Sequence, residues 1–598
     1  MTEKQSYFIR PIYLVLVTLL LQACGSAPTQ KKDTGSTSTA TTQQPQQGET
    51  NVRLPPSQFN QQFAAADTAL RQLDWMTAST LMTELEQEAL TSDDRDYREY
   101  LLARIDHVRG DSAQASARLR TLDRPNVAPG IAYRSYNFQR HLLDLQRLYL
   151  DSAKLGSRIM AIAPTADRPG LKRSIWRDLQ RSSTQDIEQA AAVATDPTWS
   201  GWLELARIAD QNPTTLSVAL SRWQAGHPGH PAASPLPGGL EYLVSPAPAT
   251  QQVALVLPLS GRLAPAGKAI RDGYLANYFS ARNKGDAPTE VNVIDSDLYD
   301  TATEAYTAAV QQGAQLVVGP LSKASVAELA QQANRSVPTI ALNRIDQPVA
   351  AGTTALVQLS LAPEDEARQL AHLAFGEGGR RALILRPAGR WGDEMQSALT
   401  KQWKALGGSI TQVIGYTGKD DYSASVKTGL GIEASEQRRR KVRDMLATNI
   451  EFTPRRREDL DAIFMLSRNP EEARAIKPLL AFHYAGALPV YASSSAYGAR
   501  HDTRNKDLDG TTIVELPWLL GSNPQLKQSL ASANSDYYTR LNALGSDAYL
   551  LQSRLVQLQA GPEAIIAGDT GLLTMNPQLQ MERELPPARF DGDRLRPL

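Results

Sequence analysis

Cys24, the only cysteine in this 598-residue chain, closes Leu21-Gln22-Ala23-Cys24 directly behind an apolar run from Ile12 to Leu21 and the cations Lys4 and Arg10. A thiol in that place has a chemistry of attachment: it can carry lipid once the leader is cut at the small-residue site. The run is too short to span a bilayer, which takes about 20 apolar residues. Residues for turnover are missing by comparison. The sequence contains no HExxH zinc pair, no phosphate-binding GxxxxGK[ST] loop and no GxSxG elbow. No Lys has a Ser three positions before it, so the SxxK nucleophile pair is absent, and the seven His residues are scattered. His227 and His230 lack a neighbouring Cys or acidic cluster and are not expected to hold a metal. The expectation is a non-enzymatic protein with no catalytic residue, metal or cofactor.

The leader resembles that of bacterial lipoproteins, whose signal is Leu, two small or polar residues, then Cys. The resemblance implies a signal peptide over 1–23 and a lipidated Cys24. Gly25 and Ser26, where an Asp would retain the protein at the inner membrane, point to the outer membrane, on its periplasmic side. With no second cysteine, an exported chain has no disulfide to rely on and must be held by buried apolar surface. Its length allows roughly three or four compact units. Lys+Arg 63 against Asp+Glu 63 gives no overall field to recruit nucleic acid. Residues 24–54 are rich in Ser, Thr, Gln, Pro and Gly and read as a disordered tether. From Ser26 to Thr50 such a coil averages about 30 Å end to end and reaches on the order of 90 Å when straight.

Two rhythms follow. From 55 to 224 apolar residues recur at helical spacing: Phe63, Ala66, Leu70 and Leu73, then Trp75, Ala78, Leu81, Met82 and Leu85. The Asp74-Trp75 turn precedes the Gly110-Asp111 turn by some 36 residues, and Ala and Leu follow each at similar offsets. That spacing resembles a degenerate tetratricopeptide repeat, and the expectation is an all-α helical solenoid, with an ordinary helical bundle as the alternative. Residues 225–250, with HPGHPAASPLPGG and SPAPAT, read as a semi-rigid proline-rich linker.

After Gln251 short apolar runs alternate with amphipathic helices, as in a parallel sheet covered on both faces. Strands are expected at Val253 to Leu257, Val291 to Ile294, Gln315 to Pro320 and Val337 to Leu342. A second set covers Arg381 to Leu385, Ile410 to Ile414, Ala462 to Leu466 and Pro489 to Ala492. Two sets, with PLSG after the first strand and VVGP after the third, resemble the type I periplasmic-binding-protein fold over 251–598, two lobes hinged about a cleft. The multidomain fold is thus a helical solenoid plus a two-lobed α/β domain. Cleft ligands would come from loops after the strands: Ser260, Gly261, Ser322, Asn343, Trp391, Ser493, Ser494 and Ser495. The same residues equally serve as helix caps and turn residues.

Two basic blocks stand out, QRRRKVR from Gln437 to Arg443 and PRRRED from Pro454 to Asp459, and their guanidiniums are expected to pair with Asp459, Asp461 or Glu451. Here the chain resembles one family, the outer-membrane lipoproteins of the LpoA type that activate a class A penicillin-binding protein. The resemblance rests on EFTPRRREDLDAIF (451–464), KPLLAFHYAGALPVYA (477–492), LPWLL (516–520), ALGSDAYLL (543–551) and GLLTMNPQLQMERELPPARFDG (571–592). Within it Pro454, Arg455, Arg456, Arg457, Asp459, Asp461, His483 and Tyr484 are the signature residues. The resemblance implies a periplasmic regulator of peptidoglycan synthesis that docks on a bifunctional synthase and stimulates its transpeptidase. The alternative is a lipid-anchored solute-binding receptor.

Overall fold

The computed structural model describes residues 52–210, 213–245, 250–283, 289–350, 354–448, 451–530 and 538–598. Cys24, the leader and almost all of the expected tether lie outside the described residues. No helix among the described residues is long and apolar enough to cross a membrane.

The first half is helical: α1 (Asn60–Arg71), α2 (Trp75–Glu84), α3 (Ser92–Val108), α4 (Ser112–Thr121), α5 (Pro129–Leu145), α6 (Tyr149–Met160), α7 (Arg168–Arg181), α8 (Thr184–Val193), α9 (Pro197–Ala209), α10 (Pro213–Gly226) and the short α11 (Glu241–Val244). The two spaced aspartates explain the repeat. Asp74 accepts from the Thr77 N–H at 3.0 Å and Asp111 from the Gln114 N–H at 2.9 Å, so each caps the second helix of a hairpin. Apolar stripes bury in two clusters, one around Phe63, Met82, Leu101 and Leu119, the other around Ile159, Trp176, Trp202 and Trp223.

The proline-rich stretch departs from the expected spacer. Ala232, Ala233, Leu236, Leu240 and Leu243 are buried in the second helical cluster, together with Ile565 and Leu572 from the far end of the chain. Gly238 takes φ +64° under Trp176, where a Cβ would lie 2.2 Å from the indole nitrogen. The prolines fix the path while the leucines between them fill the core, so the two halves share packing here. His227 stacks on Trp223 with ring centres 4.8 Å apart, and His230 Nε2 lies 2.8 Å from the Thr198 carbonyl.

The α/β half runs β1 (Gln252–Leu257), α12 (Ala264–Asn283), β2 (Glu290–Asp295), α13 (Ala302–Gln311), β3 (Leu316–Val318), α14 (Lys323–Ala330), β4 (Thr339–Ala341) and β5 (Leu356–Gln358) in the first lobe. The second lobe holds α15 (Pro363–Gly376), β6 (Arg381–Pro387), α16 (Arg390–Ala405), β7 (Ser409–Tyr416), α17 (Tyr422–Gly429), α18 (Ile432–Leu446), β8 (Ala462–Met465), α19 (Pro470–Phe482), β9 (Val490–Ala492) and β10 (Thr512–Val514). The chain then returns through α20 (Pro517–Leu520), α21 (Pro524–Leu530), α22 (Thr539–Arg554), β11 (Ile565–Gly568), β12 (Gly571–Met575) and β13 (Met581–Glu584). It finishes on the second lobe with β14 (Pro587–Asp591) and β15 (Arg594–Pro597).

The first sheet is all parallel in the order β2-β1-β3-β4-β5. The second repeats that order as β7-β6-β8-β9-β10 and adds the antiparallel pair β14 and β15 beyond β10. Each lobe therefore has its switch point between its first and third strands, the place where ligands of such sheets bind. Backbone crosses between lobes three times: after β5, after β10 and between β13 and β14.

Candidate functional site

At the first lobe's switch point the expected ligand groups are taken up by the lobe itself. Asp295 on β2 bonds the Ser260 side chain and accepts the Leu259 N–H at 2.9 Å, while Asp297 accepts the Gly261 N–H at 2.6 Å. Ser322 caps α14 by accepting the Ser325 N–H at 3.0 Å. Asn343 donates to the Leu321 carbonyl at 3.0 Å and accepts the Arg344 N–H at 2.9 Å. A cavity of about 410 Å³ adjoins Asn343, lined also by Arg344, Ser360, Glu364, Arg368 and Gln580. Its charges answer one another: Arg344 lies 3.6 Å from Glu364 and 3.2 Å from Asp365.

The second lobe behaves alike. Trp391, in the first turn of α16, packs half-buried on that lobe's core. Ser493 Oγ accepts the Ser467 N–H and donates to the Ser467 carbonyl, both at 2.9 Å, and Ser495 donates to the same carbonyl. Ser494 donates its N–H at 2.5 Å and its hydroxyl at 2.8 Å to Glu366 on α15. The eight cleft residues are thus spread over both lobes and engaged in caps, turns and core packing rather than gathered around one open pocket.

What the fold does gather is a buried polar joint at the crossings. Asp365, 1% exposed, faces Arg344, Arg368 and, at 3.7 Å, Arg583. Arg583 donates to the Ala362 carbonyl at 3.2 Å, tying the first crossing to the third. Glu515, fully buried after β10, pairs with Arg540, which also donates to the carbonyls of Ser494 at 3.1 Å and Tyr497 at 3.0 Å. The Glu515 N–H reaches the Pro586 carbonyl at 3.0 Å, tying the second crossing to the third. Burial pushes the Glu366 carboxyl up to about 7, against the two Ser494 bonds. Asp547 on α22 accepts the N–H groups of Asp569 at 2.6 Å and Thr570 at 2.8 Å; burial, then the charge of Asp569, raise its carboxyl. Such a joint is costly to rearrange unless every group keeps a partner.

The signature residues fall into structural places. Arg457 grips Asp459 through two bonds of 2.6 and 2.8 Å, reaches Gln412 on edge strand β7 at 3.0 Å, and donates its N–H to the Leu430 carbonyl at 2.8 Å. Asp461 pairs instead with Arg381 on β6, at 2.9 Å, which holds its carboxyl below the usual range despite burial. Arg456 donates to the Arg457 carbonyl, the Arg455 N–H to Ser435, and Pro454 is half-buried beside them. The block touches β7 through Gln412 and Thr411. His483, 4% exposed, ends α19 with Nε2 at 3.3 Å from Ser423 Oγ, and Tyr484 at φ +66° turns its ring half into solvent. Sequence reasoning missed the joint residues Glu366, Glu515 and Arg540. Asp547 and Arg583 sit inside quoted signature stretches, a signal available but unread.

A family model described as "LppC putative lipoprotein" matches residues 40–592. The penicillin-binding protein activator LpoA of Photobacterium profundum is 28% identical over 78% of this chain and 78% of its own length. Its namesake in Aliivibrio fischeri is 27% identical over 98% of each chain. A crystal structure of full-length LpoA from Haemophilus influenzae matches at 23% identity and a TM-score of 0.48, covering 92% of this chain and 97% of that one.

Proposed function

Because the chain belongs to the LppC lipoprotein family, we propose that it is a lipid-anchored regulator of peptidoglycan synthesis that binds a class A penicillin-binding protein and stimulates its transpeptidase. The single observation that carries this reading is the span of the family match, residues 40–592, which takes in all of the described body but its last six residues. Relatives named as penicillin-binding protein activators align over most of the same length. Attachment is through Cys24 at the outer membrane, with the body in the periplasm. The regulator is not itself an enzyme. It acts by touch: contact stimulates only if it favours the active conformation of the synthase over the inactive one, and by no more than that difference in affinity.

The polar joint supports an activator over a solute receptor. A receptor needs lobes that close on a ligand, whereas here Asp365 on α15 of the second lobe pairs with Arg344 and Arg583 of the first. The test is a pull-down of the synthase on the purified full chain, followed by a cross-linking assay with both proteins. Co-retention and a rise in cross-linked product support the reading. A synthase that neither binds nor changes its output contradicts it.

A further inference from the structure

Helix α18 leaves the body partway along its length. Only Ile432 and Ser435 in its first turn are buried, and every residue from 437 to 448 is exposed. Five cations, Arg438, Arg439, Arg440, Lys441 and Arg443, face a single carboxylate, Asp444, within those twelve residues. The face that buries Ile432 and Ser435 continues through Arg439, Val442 and Leu446, spaced three and four apart, so the same stripe that packs at the root runs on uncovered. Val442 is 39% exposed, Leu446 61% and Met445 78%. Arg439 is tied inward over the Phe452 ring at 5.3 Å, and Arg443 bonds its neighbour Asp444 at 2.9 Å. Among the described residues no ion pair joins Arg438, Arg440 or Lys441 to a carboxylate.

A helix draws most of its stability from an apolar face against a neighbour, and among the described residues this one is exposed at every position past Glu436, with Arg439 reaching over the Phe452 ring. Strong helix formers keep it wound there, with Glu433 near its start and Arg443 near its end, each on the side the helix dipole favours. A projecting arm with a short apolar stripe framed by guanidiniums is the composition of a protein interface, where Arg and Met are enriched. Three aliphatic side chains without an aromatic anchor are a small payload for a lipid surface.

We propose that the exposed end of α18 docks on an acidic, partly apolar face of the protein partner. The partner is the synthase, so the inference rests on the function proposed above and names its docking surface. Cations outside the stripe speed encounter, and the stripe sets how long the complex lasts.

The test compares three full chains against the purified synthase across a salt series: the unaltered protein, R438E/R440E/K441E and V442S/M445S/L446S. Because none of the six side chains is buried, both variants should melt with the unaltered chain. Charge reversal is expected to weaken binding at least ~10-fold at low salt and flatten the salt dependence, while the serine variant dissociates faster. Variants that bind like the unaltered chain, with the same salt slope, overturn the docking surface and leave the proposed function standing. An unaltered chain that fails to bind removes both. A variant that keeps its hold on the synthase but loses it on phosphatidylglycerol vesicles assigns the arm to a membrane and also overturns the proposal.

Discussion

Arg540 and Glu515 show what single residues contribute at the joint. Glu515 is fully buried, and its charge is answered by one guanidinium that also spans to the Ser494 and Tyr497 carbonyls. R540A strands a buried carboxylate and is expected to destabilise the α/β half by about 3–5 kcal/mol, read as a lower melting temperature. R540M/E515Q should recover part of that loss, since removing both charges costs less than orphaning one. Glu366 makes a second, opposite statement. Its folded value of about 7 stands above the ordinary 4.5, so its stabilising contribution is complete below about pH 4.5 and is lost as pH rises towards 7. Over that window E366Q should lose the Glu366 share of the fall in melting temperature. An E366Q curve parallel to that of the unaltered chain contradicts the assignment. None of these roles was legible beforehand, because a buried charge and a solvated one are the same letter. The Ser and Gly residues nominated for a cleft were ambiguous for the same reason: Ser322 caps a helix with the hydroxyl that would hold a ligand.

At the scale of elements, the first lobe closes by crossing α12 over α22. A Cβ on Gly273 would stand 2.0 Å from the Asn542 carbonyl oxygen, and one on Gly545 would stand 2.0 Å from that of Ile270. The two backbones thus touch through reciprocal glycines, braced by Asn542, which donates to the Ala269 carbonyl at 2.8 Å. G545V must push the helices apart and is expected to cost about 3 kcal/mol or more, with lost amide protection along both helices under hydrogen exchange. This contact gives the ALGSDAYLL stretch a physical reason. Long apolar runs such as 253–257 and 381–385 were legible as strands because a strand buried on both faces has little else it can be. The three-residue β5 and β10 were not, since a buried polar residue, Gln358 in one and Thr512 in the other, interrupts each apolar run. Residues 227–245 misled in another way: proline spacing reads as a spacer, while Leu236, Leu240 and Leu243 between the prolines were already the core.

Across the whole molecule the helical half rests on both lobes' neighbourhoods. Near the antiparallel sheet formed by β11, β12 and β13, Gln557 donates to the Gly238 carbonyl at 2.6 Å and Arg173 pairs with Glu563. At the second lobe, Arg147 meets Glu377 at 3.2 Å, where Glu377 also accepts from the Tyr491 hydroxyl at 2.7 Å, and Leu73 presses on Gly407. R147E sets two carboxylates against each other there. Hydrogen exchange should rise at the C-terminal end of α15 and stay unchanged around 557–563; uniform protection in both places would contradict a two-point seat. A body held so at both ends is suited to pressing a fixed surface against a partner. The measurement that bears most directly on that claim is the fraction of cross-linked peptides made by the purified synthase as the full chain is titrated in. We expect that fraction to climb and saturate at the concentration where binding saturates, with the chain alone leaving the substrate untouched. A flat titration, or turnover by the chain without the synthase, would contradict it.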